Sequence, residues 1–124
     1  AMQGIRTFIP TEEKVTYLQA LLRVGFDTID FGSFVSPKAI PQMQDTAEVL
    51  SKLDLSATNS RLLAIVANVQ GATSAAQFDE IAFLGYPFSI SENFQMRNTH
   101  KTIAESLITL AEILNIAQAN NKDV

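Results

Sequence analysis

The sequence predicts an α/β protein built on a parallel sheet. Three observations carry that expectation. Short apolar runs at Phe26–Phe31, Arg61–Ala67 and Ile81–Leu84 alternate with longer segments of helical spacing. The middle run, Leu62, Leu63, Ile65 and Val66, is almost unbroken in its apolar character, as in strands covered on both faces. Each run ends in a polar or glycine-proline stretch where a chain turns back into a helix. Alternation of this kind favours right-handed βαβ units and a parallel sheet.

The elements follow in order. Pro10-Thr11-Glu12-Glu13 reads as a helix start. Thr11 is expected to cap the free N–H groups, and the two glutamates suit the positive end of the helix dipole. Val15, Leu18, Leu21 and Leu22 recur at helical spacing, and Gly25 supplies the left-handed residue that stops the helix. The strand Phe26–Phe31 leads into a loop punctuated by Pro37 and Pro41, and a short helix is expected over Thr46–Leu53. The strand Arg61–Ala67 is followed by a weak helix over Gly71–Phe78, then by the strand Ile81–Leu84 with its Gly85-Tyr86-Pro87 exit. The last helix is the clearest. Thr102 and Glu105 have capping-box spacing, Ile103, Leu107, Leu110, Leu114 and Ala117 form one apolar stripe, and Asn120-Asn121 ends it. Val124 reads as the first residue of a further strand.

Bulk properties narrow the function classes. The 124 residues suffice for one domain with a core and not for two. The net charge of -4 argues against a nucleic-acid surface, which needs clustered Lys and Arg. No apolar run approaches the ~20 residues of a membrane span, and no signal-peptide pattern is present. With no cysteine and one histidine, His100, disulfides, thiolate nucleophiles and paired-histidine metal sites are excluded within these residues. That composition is compatible with a reducing compartment, and a cytoplasmic location is expected.

Chemistry is expected at the carboxyl ends of the strands, where ligands of α/β proteins sit. Asp30 and Ser33 fall there on the first strand, and Asn68 falls there on the second. Each also has a structural reading. Asp30 suits a carboxylate capping the next turn, Ser33 a hydroxyl satisfying its loop, and Asn68 a turn former. Ser91-Glu92-Asn93-Phe94 follows the third strand, with Glu92 more suited to a structural hydrogen bond than to a pocket wall. Arg97, His100 and Lys101 make a small basic cluster that suits either an anion or a solvated loop. No phosphate-binding glycine loop is present.

The segment Asp30-Phe31-Gly32-Ser33-Phe34-Val35-Ser36-Pro37-Lys38, followed by Pro41-Gln42-Met43-Gln44-Asp45, resembles the DRE-TIM metallolyases, and most closely their hydroxymethylglutaryl-CoA lyase branch. Ala1-Met2-Gln3, Asn68-Val69-Gln70-Gly71 and Ser91-Glu92-Asn93-Phe94 with Asn98 resemble further motifs of that family. The resemblance implies a partial TIM (β/α)8 barrel, roughly helix 1 to helix 4 with three parallel strands. It implies that residues 1–124 are a single partial domain, cut at both ends. It also implies a metal-dependent cleavage of 3-hydroxy-3-methylglutaryl-CoA to acetoacetate and acetyl-CoA. Asp30 becomes the catalytic candidate, with Asp where the lyases usually carry Glu. Gln3, Ser33 and Asn68 become substrate-binding candidates. The Mg²⁺ or Mn²⁺ implied for the full-length parent has its ligands outside this chain, so no metal ligand is assigned here and the chain alone is expected to be inactive. An acyl-CoA substrate and a homodimeric parent, without nucleic-acid or membrane partners, complete the implied picture. The alternatives are a Claisen-type synthase of the same family, such as an isopropylmalate, citramalate or homocitrate synthase, and a non-catalytic α/β binding fragment.

Overall fold

In the computed structural model, which describes residues 2–124, a three-stranded sheet in the order β1-β2-β3 is flanked by five α-helices. The strands are β1 (Thr28–Ser33), β2 (Arg61–Ile65) and β3 (Ile81–Gly85). Both pairings are parallel, so the carboxyl ends of all three strands share one rim. The helices are α1 (Thr11–Val24), α2 (Thr46–Ser51), α3 (Val69–Ala76), α4 (Glu92–Thr99) and α5 (Ile103–Ala119), with short 3-10 turns at Met2–Gly4 and Pro41–Met43. None of the helices described is long and apolar enough to cross a membrane.

The core lies between one face of the sheet and the helices. Ile29, Leu62, Ala64, Val66, Ile81 and Leu84 pack there with Leu18 and Leu22 of α1, Val49 and Leu50 of α2, Ala72 and Ala75 of α3, and Ile113 and Ala117 of α5. On β2 the alternate residues Leu63 and Ile65 are only half-buried, as a period of two requires when one face lacks cover. The outer edge of β1 carries no strand partner among the described residues. Beyond β3, Asp123 makes an isolated parallel bridge to Phe83, one residue before the Val124 expected to start a strand.

Several expectations are corrected by tertiary contacts. Strand β1 starts at Thr28 and runs on to Ser33, so Asp30 is its third residue and not its end. Pro10, not Thr11, occupies the cap of α1, and the Thr11 hydroxyl instead donates to Asp45 Oδ2 at 2.8 Å. Helix α2 ends at Ser51, and α3 begins at Val69, directly after Asn68. Helix α4 is an addition to the expected elements, and no apolar stripe signals it because its one buried residue is Gln95. In α5 the buried face is Ser106, Thr109, Ile113 and Ala117, while Leu107 and Leu114 of the apolar stripe are exposed. Small polar residues fill that face because partners satisfy them: Gln95 Nε2 donates to Ser106 Oγ at 2.6 Å, and Lys101 Nζ donates to Thr109 Oγ1 at 2.6 Å. The capping box of Thr102 and Glu105 forms as expected.

Candidate functional site

The site is built around the first strand and the loop that leaves it. Asp30 pairs with Leu63 and Ser33 with Ile65, so both stand on the face opposite the helix-packed core. Ser33 closes β1 at the rim, and Asp30 lies one layer below it. Asn68 follows β2, and Ser91 follows β3, on the same rim. Gln3 falls in the first 3-10 turn, and its side chain lies outside the described residues.

Asp30 opens into a cavity of about 380 Å³ between α1 and the outer edge of β1. Tyr17, Leu18, Leu21, Phe31 and Met43 supply apolar walls, with Glu13 and Lys14 at the polar side. The residue reaches solvent, and partial loss of water raises its pKa above the ordinary carboxylate value. The backbone amide of Gly32 favours the charged form and partly offsets that effect. An acid held this way is a better proton acceptor near neutral pH than a fully hydrated one.

The lysine in this wall is already committed. Lys14 is 3 % exposed, and its Nζ donates to Asp45 Oδ1 at 2.6 Å and to the Gln42 carbonyl at 2.6 Å. It also lies 4.1 Å from the Phe8 ring centroid. Gln42 closes the same clasp. Its amide nitrogen donates to the carbonyls of Ile5 and Thr7, and its oxygen accepts from the Ile9 N–H. The Pro41-Gln42-Met43-Gln44-Asp45 motif therefore serves as a fastening. It ties residues 5–9 and the start of α1 to the loop after β1, and it sets Met43 in the cavity wall.

Ser33 is 2 % exposed, and its Oγ has no hydrogen-bond partner among the described residues. Leaving such a hydroxyl unpaired costs roughly 1–3 kcal/mol, so it is a group a ligand or water would satisfy. Asn68 Oδ1 accepts the Gly71 N–H at 2.8 Å and caps α3. It also borders a groove of about 300 Å³ between Phe34–Pro37 and the start of α3. Gly71 is required there, because a Cβ at this position would collide with the Phe34 carbonyl oxygen.

The third rim segment is occupied by structural bonds. Ser91 caps α4 through the Phe94 N–H, and Glu92 Oε2 accepts the Ile103 N–H at 3.2 Å, at the start of α5. With Thr102 and Glu105 also at that helix end, its donors face carboxylates rather than a bound anion. His100 is the left-handed cap of α4 at φ 56°. Sequence reasoning missed Gln95, which is 1 % exposed. Its Oε1 accepts the Ser89 N–H at 2.8 Å and its Nε2 donates to Thr99 and Ser106, fixing the loop after β3. No periodicity marks a lone buried amide, so nothing in the sequence signalled it. Among the described residues no three His, Cys, Asp or Glu side chains converge as a metal site.

Comparison with known proteins bears on this geometry. No family model matches the chain. It is 30% identical over 125 residues, 99% of this chain, to a mitochondrial hydroxymethylglutaryl-CoA lyase of Arabidopsis thaliana, covering 26% of that protein. It is 31% identical over 122 residues, 97% of this chain, to a cytoplasmic 3-hydroxy-3-methylglutaryl-CoA lyase of Rattus norvegicus, covering 34% of that protein. Among solved structures, an HMG-CoA lyase from Acinetobacter baumannii in complex with coenzyme A and 3-methylmalate superposes with a TM-score of 0.89 at 30% identity, over 98% of this chain and 39% of that one. The chain thus spans well under half the length of the relatives it matches. The partial barrel with three parallel strands expected from the sequence is the arrangement observed.

Proposed function

We propose, from its homology to the early barrel region of the hydroxymethylglutaryl-CoA lyases, that this chain forms one wall of the active site of such a lyase. The whole protein would cleave 3-hydroxy-3-methylglutaryl-CoA to acetoacetate and acetyl-CoA. The observation that carries the proposal is Asp30, one layer below the rim beside a largely apolar cavity, on the same face as Ser33.

In a retro-Claisen cleavage the tertiary hydroxyl loses its proton and its oxygen becomes a ketone. The bond between the carbinol carbon and the carbon next to the thioester breaks, and its electron pair passes to the thioester as an enolate. A proton then completes acetyl-CoA. Asp30 accepts or orients the hydroxyl proton, and the Ser33 hydroxyl donates to an oxygen of the acyl group. Gln3 and Asn68 are proposed to border the substrate. A divalent ion such as Mg²⁺ or Mn²⁺ would polarise the oxygens. The described residues do not themselves form a site for it, so its ligands would come from elsewhere in the protein. A cytoplasmic, homodimeric protein acting on an acyl-CoA belongs to the same proposal.

The test is the full-length protein incubated with 3-hydroxy-3-methylglutaryl-CoA and Mg²⁺ or Mn²⁺, with acetoacetate measured. Metal-dependent release of acetoacetate is expected. Inert thioester, together with condensation of acetyl-CoA onto a keto acid, would replace the lyase with a synthase.

A further inference from the structure

Asp30 and Ser33 are three positions apart, and in an unbroken strand that odd spacing puts two side chains on opposite faces. The observed pairing avoids this. Asp30 lies opposite Leu63, Gly32 opposite Ala64 and Ser33 opposite Ile65, so β1 takes two steps where β2 takes one, and Phe31 is the extra residue. Leu63 and Ile65 share a face, and therefore Asp30 and Ser33 do as well. A bulge of this kind re-aims side chains at the end of a strand.

The bulge sits where α2 arrives. A Cβ on Gly32 would lie 2.8 Å from Thr46 Cγ2 and 3.0 Å from Thr46 Oγ1, so the glycine lets the first turn of α2 touch the strand. Thr46 is 5 % exposed. Its hydroxyl donates to the Met43 carbonyl at 2.8 Å and accepts the Ser33 N–H at 3.3 Å. One side chain thus links the residue after the bulge to the turn that supplies Met43 to the cavity wall.

We infer that Thr46 is a positioning residue: its hydroxyl, wedged against Gly32, holds the β1 bulge in the register that turns Asp30 and Ser33 to the same face. The inference rests on the proposed lyase function only for its kinetic consequence. Thr46 itself touches no reacting atom. Its loss would let the strand relax toward regular alternation, and a displacement of about 1 Å at a reacting group can cost up to ~10²-fold in rate.

The experiment compares Thr46→Val and Thr46→Ser in the full-length protein, with Asp30→Asn as control and Thr46→Ala in reserve should the valine variant fold poorly. Thr46→Val is expected to lower kcat on the order of 10-fold with little change in KM. It should also move the acid limb of the kcat profile to higher pH, because the Gly32 amide no longer favours the charged Asp30. Thr46→Ser, which keeps the hydroxyl, should restore both. A purely structural role would lower the unfolding temperature without moving the acid limb. Amide hydrogen exchange at Ser33 gives a readout independent of activity and should quicken in Thr46→Val but not in Thr46→Ser. Unchanged exchange in the valine variant would overturn the positioning role. An Asp30→Asn enzyme with full activity would overturn the functional reading instead, and the exchange result would still decide whether Thr46 holds the bulge.

Discussion

Replacing Asp45 with alanine strands the Lys14 ammonium. The pair is 2.6 Å apart, with side chains only 3% and 8% exposed, so neither charge can turn to bulk water without opening the clasp. Breaking a buried pair from one side typically costs about 3–5 kcal/mol, because the remaining charge loses its partner. Here the Gln42 carbonyl and the Phe8 ring stay in place, which favours the lower end, about 3 kcal/mol. The lost Thr11 bond adds to it. A protein longer than about 250 residues loses at most about 2 °C per kcal/mol, so Asp45→Ala should lower the unfolding temperature of the full-length protein by roughly 4–6 °C. The double variant Lys14→Met/Asp45→Ala removes both charges and should recover part of that loss, since a buried pair is often worth no more than apolar packing. Thermal unfolding followed by circular dichroism reads both. A shift under roughly 2 °C for Asp45→Ala would mean that Lys14 rehydrates as a surface lysine does, and the clasp argument would fail.

Two further outcomes follow from contacts nearer the site. Gly71→Ala forces a methyl group against the Phe34 carbonyl, so α3 must shift from the loop after β1. A loss of about 1–3 kcal/mol is expected by denaturant unfolding, and a neutral effect would show that this approach is not tight. Burial holds the folded-state pKa of Asp30 above its unfolded value, so between the two values the folded chain binds the proton more tightly. Stability therefore declines as pH rises through that window, and the penalty persists above it. Asp30→Asn removes the penalty: unfolding temperatures at about pH 7 should match or exceed wild type, and the gap should close below the ordinary aspartate value of about 3.9. A less stable asparagine variant at neutral pH would contradict the desolvated carboxyl.

The strands, their parallel direction and the helices that carry apolar stripes were legible from local signals, because periodicity and caps are local properties. Thr102 and Glu105 announce the start of α5 on their own. What stayed hidden depends on distant partners. The Thr11 hydroxyl looks like a cap until Asp45 is placed beside it. Ile81–Leu84 was legible as a strand, but α4, with its polar Asn93, Gln95, Arg97 and Asn98, shows no stripe, since its buried contact is one amide. The exposed Leu107 and Leu114 misled because Ser106 and Thr109 take the buried face through bonds that no hydropathy pattern reveals. At the site, Asp30 and Ser33 were legible as candidates. Their shared face was not, because it depends on one extra residue in β1.

The most direct test of the account is the turnover of full-length Asp30→Asn on 3-hydroxy-3-methylglutaryl-CoA with excess Mg²⁺ or Mn²⁺, measured beside wild type in a preparation of equal stability. A positioned carboxyl that accepts or orients the hydroxyl proton contributes on the order of 10²-fold or more. A fall of at least about that size in kcat is expected, with folding intact. Turnover within a few-fold of wild type would remove Asp30 from the chemistry and leave it as a carboxylate in a strand.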